Sequence, residues 1–166
     1  GKLSEAVKVL EDALKRKPDN ARAHLELGKI YWSASDYSQA GASFEKVYRL
    51  QKSNLDAGWY AVLSYATSTA PNAKESVAVV LEQIVASEPG NEEANYMLAV
   101  ARGSQGQLAE QTEGLQRQFD RNPNSPKLRK SLGVAMALNG NTQRAEAVLQ
   151  QAVTMEASDA DAQAAL

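Results

Sequence analysis

A punctuation mark recurs along this chain at nearly constant spacing, and that rhythm restricts the fold more than any other feature. The segments KPDNA, QKSNL, EPGNE, NPNSP and EASDA separate successive apolar-periodic stretches. Their fourth residues are Asn20, Asn54, Asn91, Ser125 and Asp159, spaced by 34, 37, 34 and 34 residues. Each has a short polar side chain able to accept from the free amides of a helix's first turn, so each predicts an N-cap. A second mark falls fifteen residues into each beat, at Gly1, Ser35, Gly106 and Gly140. There a first helix has to end, and glycine tolerates the left-handed C-cap. A beat of this length holds a helix, a tight turn and a second helix, a unit that buries its apolar face only by stacking on its neighbours.

The apolar residues between the marks follow helical spacing, as in Leu3, Val7, Leu10 and Leu14, or Leu132, Val134, Ala135 and Leu138. Strict alternation, the strand signal, is absent. Pro18, Pro71, Pro89, Pro123 and Pro126 fall between units or in a turn, where proline's missing amide does little harm. The predicted fold class is all-α, a solenoid of antiparallel helix pairs.

Composition excludes several functions. With no cysteine among 166 residues, disulfide frameworks, thiol nucleophiles and cysteine-ligated zinc are out. The net charge of -2, with no block of like charges, removes the electrostatic attraction on which nucleic-acid binding depends. The longest apolar run, Val77 to Leu81, falls far short of the ~20 residues needed to span a bilayer. No cofactor, metal or direct membrane insertion is expected. The chain opens in the middle of a pattern, which predicts a fragment of a larger protein and leaves localisation open.

The residues at fixed places within the beat resemble the tetratricopeptide repeat. The unit after Asn20 carries Leu27, Gly28, Tyr31, Ala40, Phe44 and Val47 at positions 7, 8, 11, 20, 24 and 27. The preceding half-unit contributes Ala6, Leu10, Ala13 and Pro18, and the last contributes Leu132, Gly133, Met136, Ala145, Leu149 and Ala152. The resemblance covers 1–166 as a single solenoid: a second helix over 1–20, repeats over 21–54, 55–91, 92–125 and 126–159, and the start of another over 160–166. The 55–91 repeat is three residues longer, and its extra length is placed in TSTAPNAKES. The 92–125 repeat has Arg102, Gln111 and Gln118 where an aromatic and two alanines belong, so its helix pair is expected to be the loosest. Gly41 and Gly114 sit inside second helices, where each costs about 1 kcal/mol relative to alanine. Drift accounts for them more simply than close packing.

The resemblance implies a right-handed superhelix with a concave groove lined by first helices, and hence a protein or peptide partner. The family's groove positions correspond here to Arg22, Leu25, Lys29 and Trp32, then Trp59, Tyr60 and Leu63. Further along they correspond to Tyr96, Met97 and Val100, then Lys127 and Lys130. Aromatic and Met side chains there supply contact area at low entropic cost, and the four basic residues suit an acidic or carboxylate-bearing ligand. Trp32 and Trp59 also suit core packing, and the basic residues also suit an ordinary solvated surface. The Lys and Asn clamp by which some members hold chaperone tails is missing, since its places hold Leu25, Lys29, Tyr60, Glu93 and Met97.

Catalysis has little support. The one histidine, His24, occupies a packing position, and neither Glu11 with Asp12 nor Glu92 with Glu93 is joined by a histidine or a phosphate loop. No enzyme activity is expected. The leading function is a protein-interaction scaffold that recruits a partner into a multiprotein assembly. The alternatives are a spacer solenoid in a bacterial cell-envelope or polysaccharide-export protein, and regulatory repeats of an enzyme whose catalytic domain lies outside this chain. Self-association through open repeat ends is also expected. The Ala- and Gln-rich composition points to a bacterial envelope or periplasmic setting, with the cytoplasm as alternative.

Overall fold

The computed structural model describes residues 2–103 and 105–164, with side chains at all of these except 2, 92, 105 and 156–164. Gly1 and the end of the expected 160–166 element, residues 165–166, lie outside the described residues. Among those described, the chain forms nine α-helices and no strand. They are α1 (Lys2–Arg16), α2 (Ala21–Ser33), α3 (Tyr37–Leu50), α4 (Leu55–Thr67), α5 (Ala73–Ser87), α6 (Glu92–Arg102), α7 (Gln105–Arg121), α8 (Pro126–Leu138) and α9 (Thr142–Ala164). Contacts gather them into two compact units, Gly1–Asn91 and Glu92–Leu166, each a set of helices packed mainly on their sequence neighbours, with α6 also against α8. This is the all-α helical-repeat fold of a tetratricopeptide-like solenoid.

The polar marks start helices as expected. Asn20 accepts from the Ala23 amide, Asn54 from the Ala57 amide and Ser125 from the Leu128 amide, each at 3.2 Å. Each bond satisfies an amide that the first turn leaves without a helical partner. Two turn marks also hold: Ser35 has φ of 59° and Gly140 has φ of 85°, the left-handed backbone that reverses a chain in three residues.

Two marks do not hold. Gly106 lies in the first turn of α7, which starts at Gln105, so that helix begins earlier than the rhythm predicts. Asp159 starts nothing: α9 runs through it to Ala164. No glycine or proline interrupts the Ala-rich stretch from Thr142 to Ala164, and a single cap-forming side chain does not break a helix whose other residues favour it.

In unit 1 the helices approach closely because glycines face large side chains. A Cβ on Gly28 would lie 2.6 Å from the Phe44 ring, and one on Gly41 would lie 2.7 Å from the Tyr65 ring. Gly41 is therefore a packing glycine, not drift. A Cβ on Gly114 in unit 2 would meet nothing nearer than the Arg117 side chain at 4.0 Å, and drift remains the account of that position.

Polar ties join α3 to α4 and to α5 in unit 1. The Tyr65 hydroxyl donates to Glu45 Oε2 at 2.9 Å and Gln83 Nε2 donates to Glu45 Oε1 at 3.3 Å. Arg49 lies 2.8 Å from the same carboxylate, and Tyr48 hydrogen-bonds to Ser87. Burial, followed by the negative charge of Glu45, pushes the Tyr65 phenol well above its ordinary range. The extra length of the 55–91 repeat appears as a five-residue connection, Ser68 to Asn72, against three residues between α2 and α3.

In unit 2, a Cβ on Gly133 would lie 2.5 Å from Leu149, so α8 and α9 meet as tightly as α2 and α3. The pair α6 and α7 is sparser. Arg102 and Gln118 are exposed, and Gln111 Oε1 is buried without a hydrogen-bond partner.

Candidate functional site

The four residues expected on α2 form one stripe. Arg22, Leu25, Lys29 and Trp32 are separated by three, four and three residues, the spacing that returns a side chain to the same helical face. Arg22 and Lys29 are exposed, and Leu25 and Trp32 are half-buried, so cationic and apolar groups alternate along an accessible surface. The Trp32 ring meets the Tyr37 ring edge-on, with centroids 5.1 Å apart and planes at 71°, a favoured aromatic geometry. That contact fixes the indole while leaving part of it open. Lys29 lies 3.1 Å from Glu26, an exposed pair of small energetic weight.

On α4 the same register behaves differently. Trp59 is only 9% exposed and Leu63 1%, so both belong to the interior. Tyr60 is half-buried, and its ring lies 5.4 Å from that of Phe44 at 33°. The cause is composition: α4 reads LDAGWYAVLSYAT, apolar nearly all round, and a helix of that kind is buried on more than one face.

In unit 2 the expected residues also divide. Tyr96 is 38% exposed, and partial burial raises its phenol pKa. Lys127 is exposed. Met97 and Val100 on α6 have no exposed surface and serve packing. Lys130 is also buried: its Nζ lies 3.9 Å from Glu93 Oε1, and the Ser131 hydroxyl donates to that oxygen at 3.3 Å. Lys130 thus joins α8 to α6 and presents little charge to solvent. A buried cation with a nearby carboxylate is internal architecture.

His24 has a structural task. Its Nε2 donates to the Pro18 carbonyl at 2.9 Å, tying α2 to the preceding turn. Arg129, four residues after Ser125 as His24 is after Asn20, donates from Nη2 to the Pro123 carbonyl at 2.8 Å. Sequence reasoning missed this clasp, although the recurrence of a donor at one position and proline at another carried the signal. Glu11 was also missed: it accepts from the Tyr31 hydroxyl at 3.3 Å, and burial together with the Glu11 charge raises the Tyr31 pKa. Among the described residues, no group of three or more His, Cys, Asp or Glu side chains could hold a metal ion, and no helix is long and apolar enough to cross a membrane.

The tetratricopeptide-repeat family matches residues 1–54. Beyond them, two crystal structures of MamA share the fold across nearly the whole chain. One is 21% identical with a TM-score of 0.51, covering 97% of this chain and 92% of that one. The other is 21% identical with a TM-score of 0.52, covering 97% and 86%. At that identity the likeness concerns the fold. No curated protein matches the sequence. The repeats and the shared fold support a protein-interaction scaffold in general.

Proposed function

We propose that this chain is a scaffold that captures a protein or peptide partner on α2 of unit 1 and recruits it into a larger assembly. The supporting observation is the accessible stripe Arg22, Leu25, Lys29 and Trp32, with its indole fixed against Tyr37. A held aromatic beside aliphatic and cationic groups suits a peptide that brings an apolar anchor and carboxylates. Tyr60 in unit 1 and Tyr96 and Lys127 in unit 2 are the other expected residues that keep accessible surface.

The test is affinity capture from native lysate with wild type and with a variant carrying Trp32→Ala and Tyr96→Ala, both checked for helical content by circular dichroism. Retained partners should fall by about tenfold, the size expected when aromatic anchors are truncated, with the helical signal intact. Unchanged capture counts against these side chains, and loss of helical signal assigns them to the core. The spacer reading draws on one observation, the closure of Leu63, Met97 and Val100, which leaves a smaller sticky surface than an extended groove needs. Unchanged capture would favour it.

A further inference from the structure

The two cations on the α2 stripe are not equivalent. The carboxylates nearest to Arg22 in sequence are Asp19, in the turn before α2, and Glu26, one helical turn after it. A helix sets residues four apart side by side, so Glu26 is the natural internal partner of Arg22. Both carboxylates are engaged elsewhere. Lys46 Nζ donates to Asp19 Oδ1 and Lys29 Nζ donates to Glu26 Oε1, each at 3.1 Å. The charge of Lys29 is thereby answered within its own helix. Arg22 is exposed and forms no ion pair among the described residues.

The charge left over is of a selective kind. A guanidinium presents a planar fork of donors that fits a carboxylate through two parallel bonds, which an ammonium does not. At the other end of the stripe the Trp32 indole is held against Tyr37, and the half-buried Leu25 supplies apolar surface between the two. Arg22 and Trp32 are ten residues apart, about 15 Å along the helix axis. An extended chain advances about 3.3 Å per residue and covers that span in about four or five residues. This inference rests on capture at α2: we propose that the stripe selects an extended partner segment with Asp or Glu at Arg22 and a large apolar side chain at Trp32, about four or five residues apart. Arg22 is the residue that reads the charge, and Glu26 withholds Lys29 from that recognition.

The probe is a phage-displayed library of random linear peptides, panned on the full chain and on variants checked for helical content. Peptides enriched on wild type should share an acidic residue about four or five places from an aromatic or large aliphatic one. Panning on Arg22→Gln should lose the acidic position and keep the anchor, and panning on Trp32→Ala should lose the anchor. A synthetic copy of an enriched peptide, titrated by fluorescence anisotropy at low salt, should bind Arg22→Gln at least about fivefold more weakly and Lys29→Gln within about twofold of wild type. Glu26→Gln, which releases Lys29, should bind it about twofold more tightly, and roughly 0.5 M salt should erase these differences. Enriched peptides without the acidic position, an acidic position that survives Arg22→Gln, a loss with Lys29→Gln as large as with Arg22→Gln, or no tightening with Glu26→Gln would overturn the inference and leave capture at α2 standing. No enrichment on wild type, or enrichment indifferent to Trp32→Ala, would remove α2 as the capture surface and this inference with it.

Discussion

The helices α3 and α7 hold the same place in their repeats, yet they pack very differently. In α3 seven residues are buried, from Tyr37 to Tyr48; of the described residues of α7, only Leu108 and Leu115 are. The small and large positions explain the contrast. Ala40 and Val47 in α3 become Gln111 and Gln118 in α7, and the internal glycine of α3 faces a ring where that of α7 faces open space. Rhythm alone is enough to make a helix start and stop. Tight packing needs the right volume at a few places inside the rhythm, because protein interiors tolerate neither gaps nor overlaps.

The largest test of this contrast truncates the equivalent core residue in each helix. Phe44→Ala should destabilise unit 1 by about 4 kcal/mol, and Leu115→Ala should cost unit 2 only about 2 kcal/mol because a looser site can collapse around the gap. Denaturant melts followed by tryptophan fluorescence and by hydrogen exchange would separate the units; equal costs would break the comparison. Next come the two glycines. Gly41→Ala should destabilise by about 1 kcal/mol, since overpacking against Tyr65 outweighs the gain in helix propensity, while Gly114→Ala should stabilise by about 1 kcal/mol. The same sign at both positions would contradict the packing account.

Smaller effects sharpen the picture. Gln111→Ala should raise the stability of unit 2 by roughly 1 kcal/mol by removing a buried acceptor without a partner, visible as a higher melting temperature. A loss of stability would show that the Gln111 stem packs more than its amide costs. The last effect is alkaline. The folded-state pKa of Tyr65 is raised above its unfolded value near 10, so its contribution is present below about pH 10 and is lost as pH rises further. Wild type should therefore lose on the order of 1 kcal/mol more than Tyr65→Phe by about pH 10.5. Parallel pH profiles would remove Tyr65 from the account.

Much of the fold was legible because capping and glycine turns are local chemistry. Asn20, Asn54 and Ser125 could be read as helix starts from their side chains alone, and Ser35 and Gly140 as turns from their places. Asp159 misled because its neighbours decide the matter: an Ala-rich context carried α9 past it. The candidate surface was legible on α2, where apolar and charged positions separate clearly. It was less so on α4, α6 and α8, where Leu63, Met97, Val100 and Lys130 turned inward. Repeat position predicts which face a residue occupies, but exposure depends on what lies against that face. The burial of Lys130 needed Glu93, thirty-seven residues away, and no local pattern announces such a pair.

The most direct measurement of the central claim is site-specific photocrosslinking in native lysate, with the photoreactive residue at position 29 on the α2 stripe or at position 42 on the exposed side of α3. The account predicts discrete crosslinked partners from position 29 and none of them from position 42. Partners trapped from position 42 alone would contradict it.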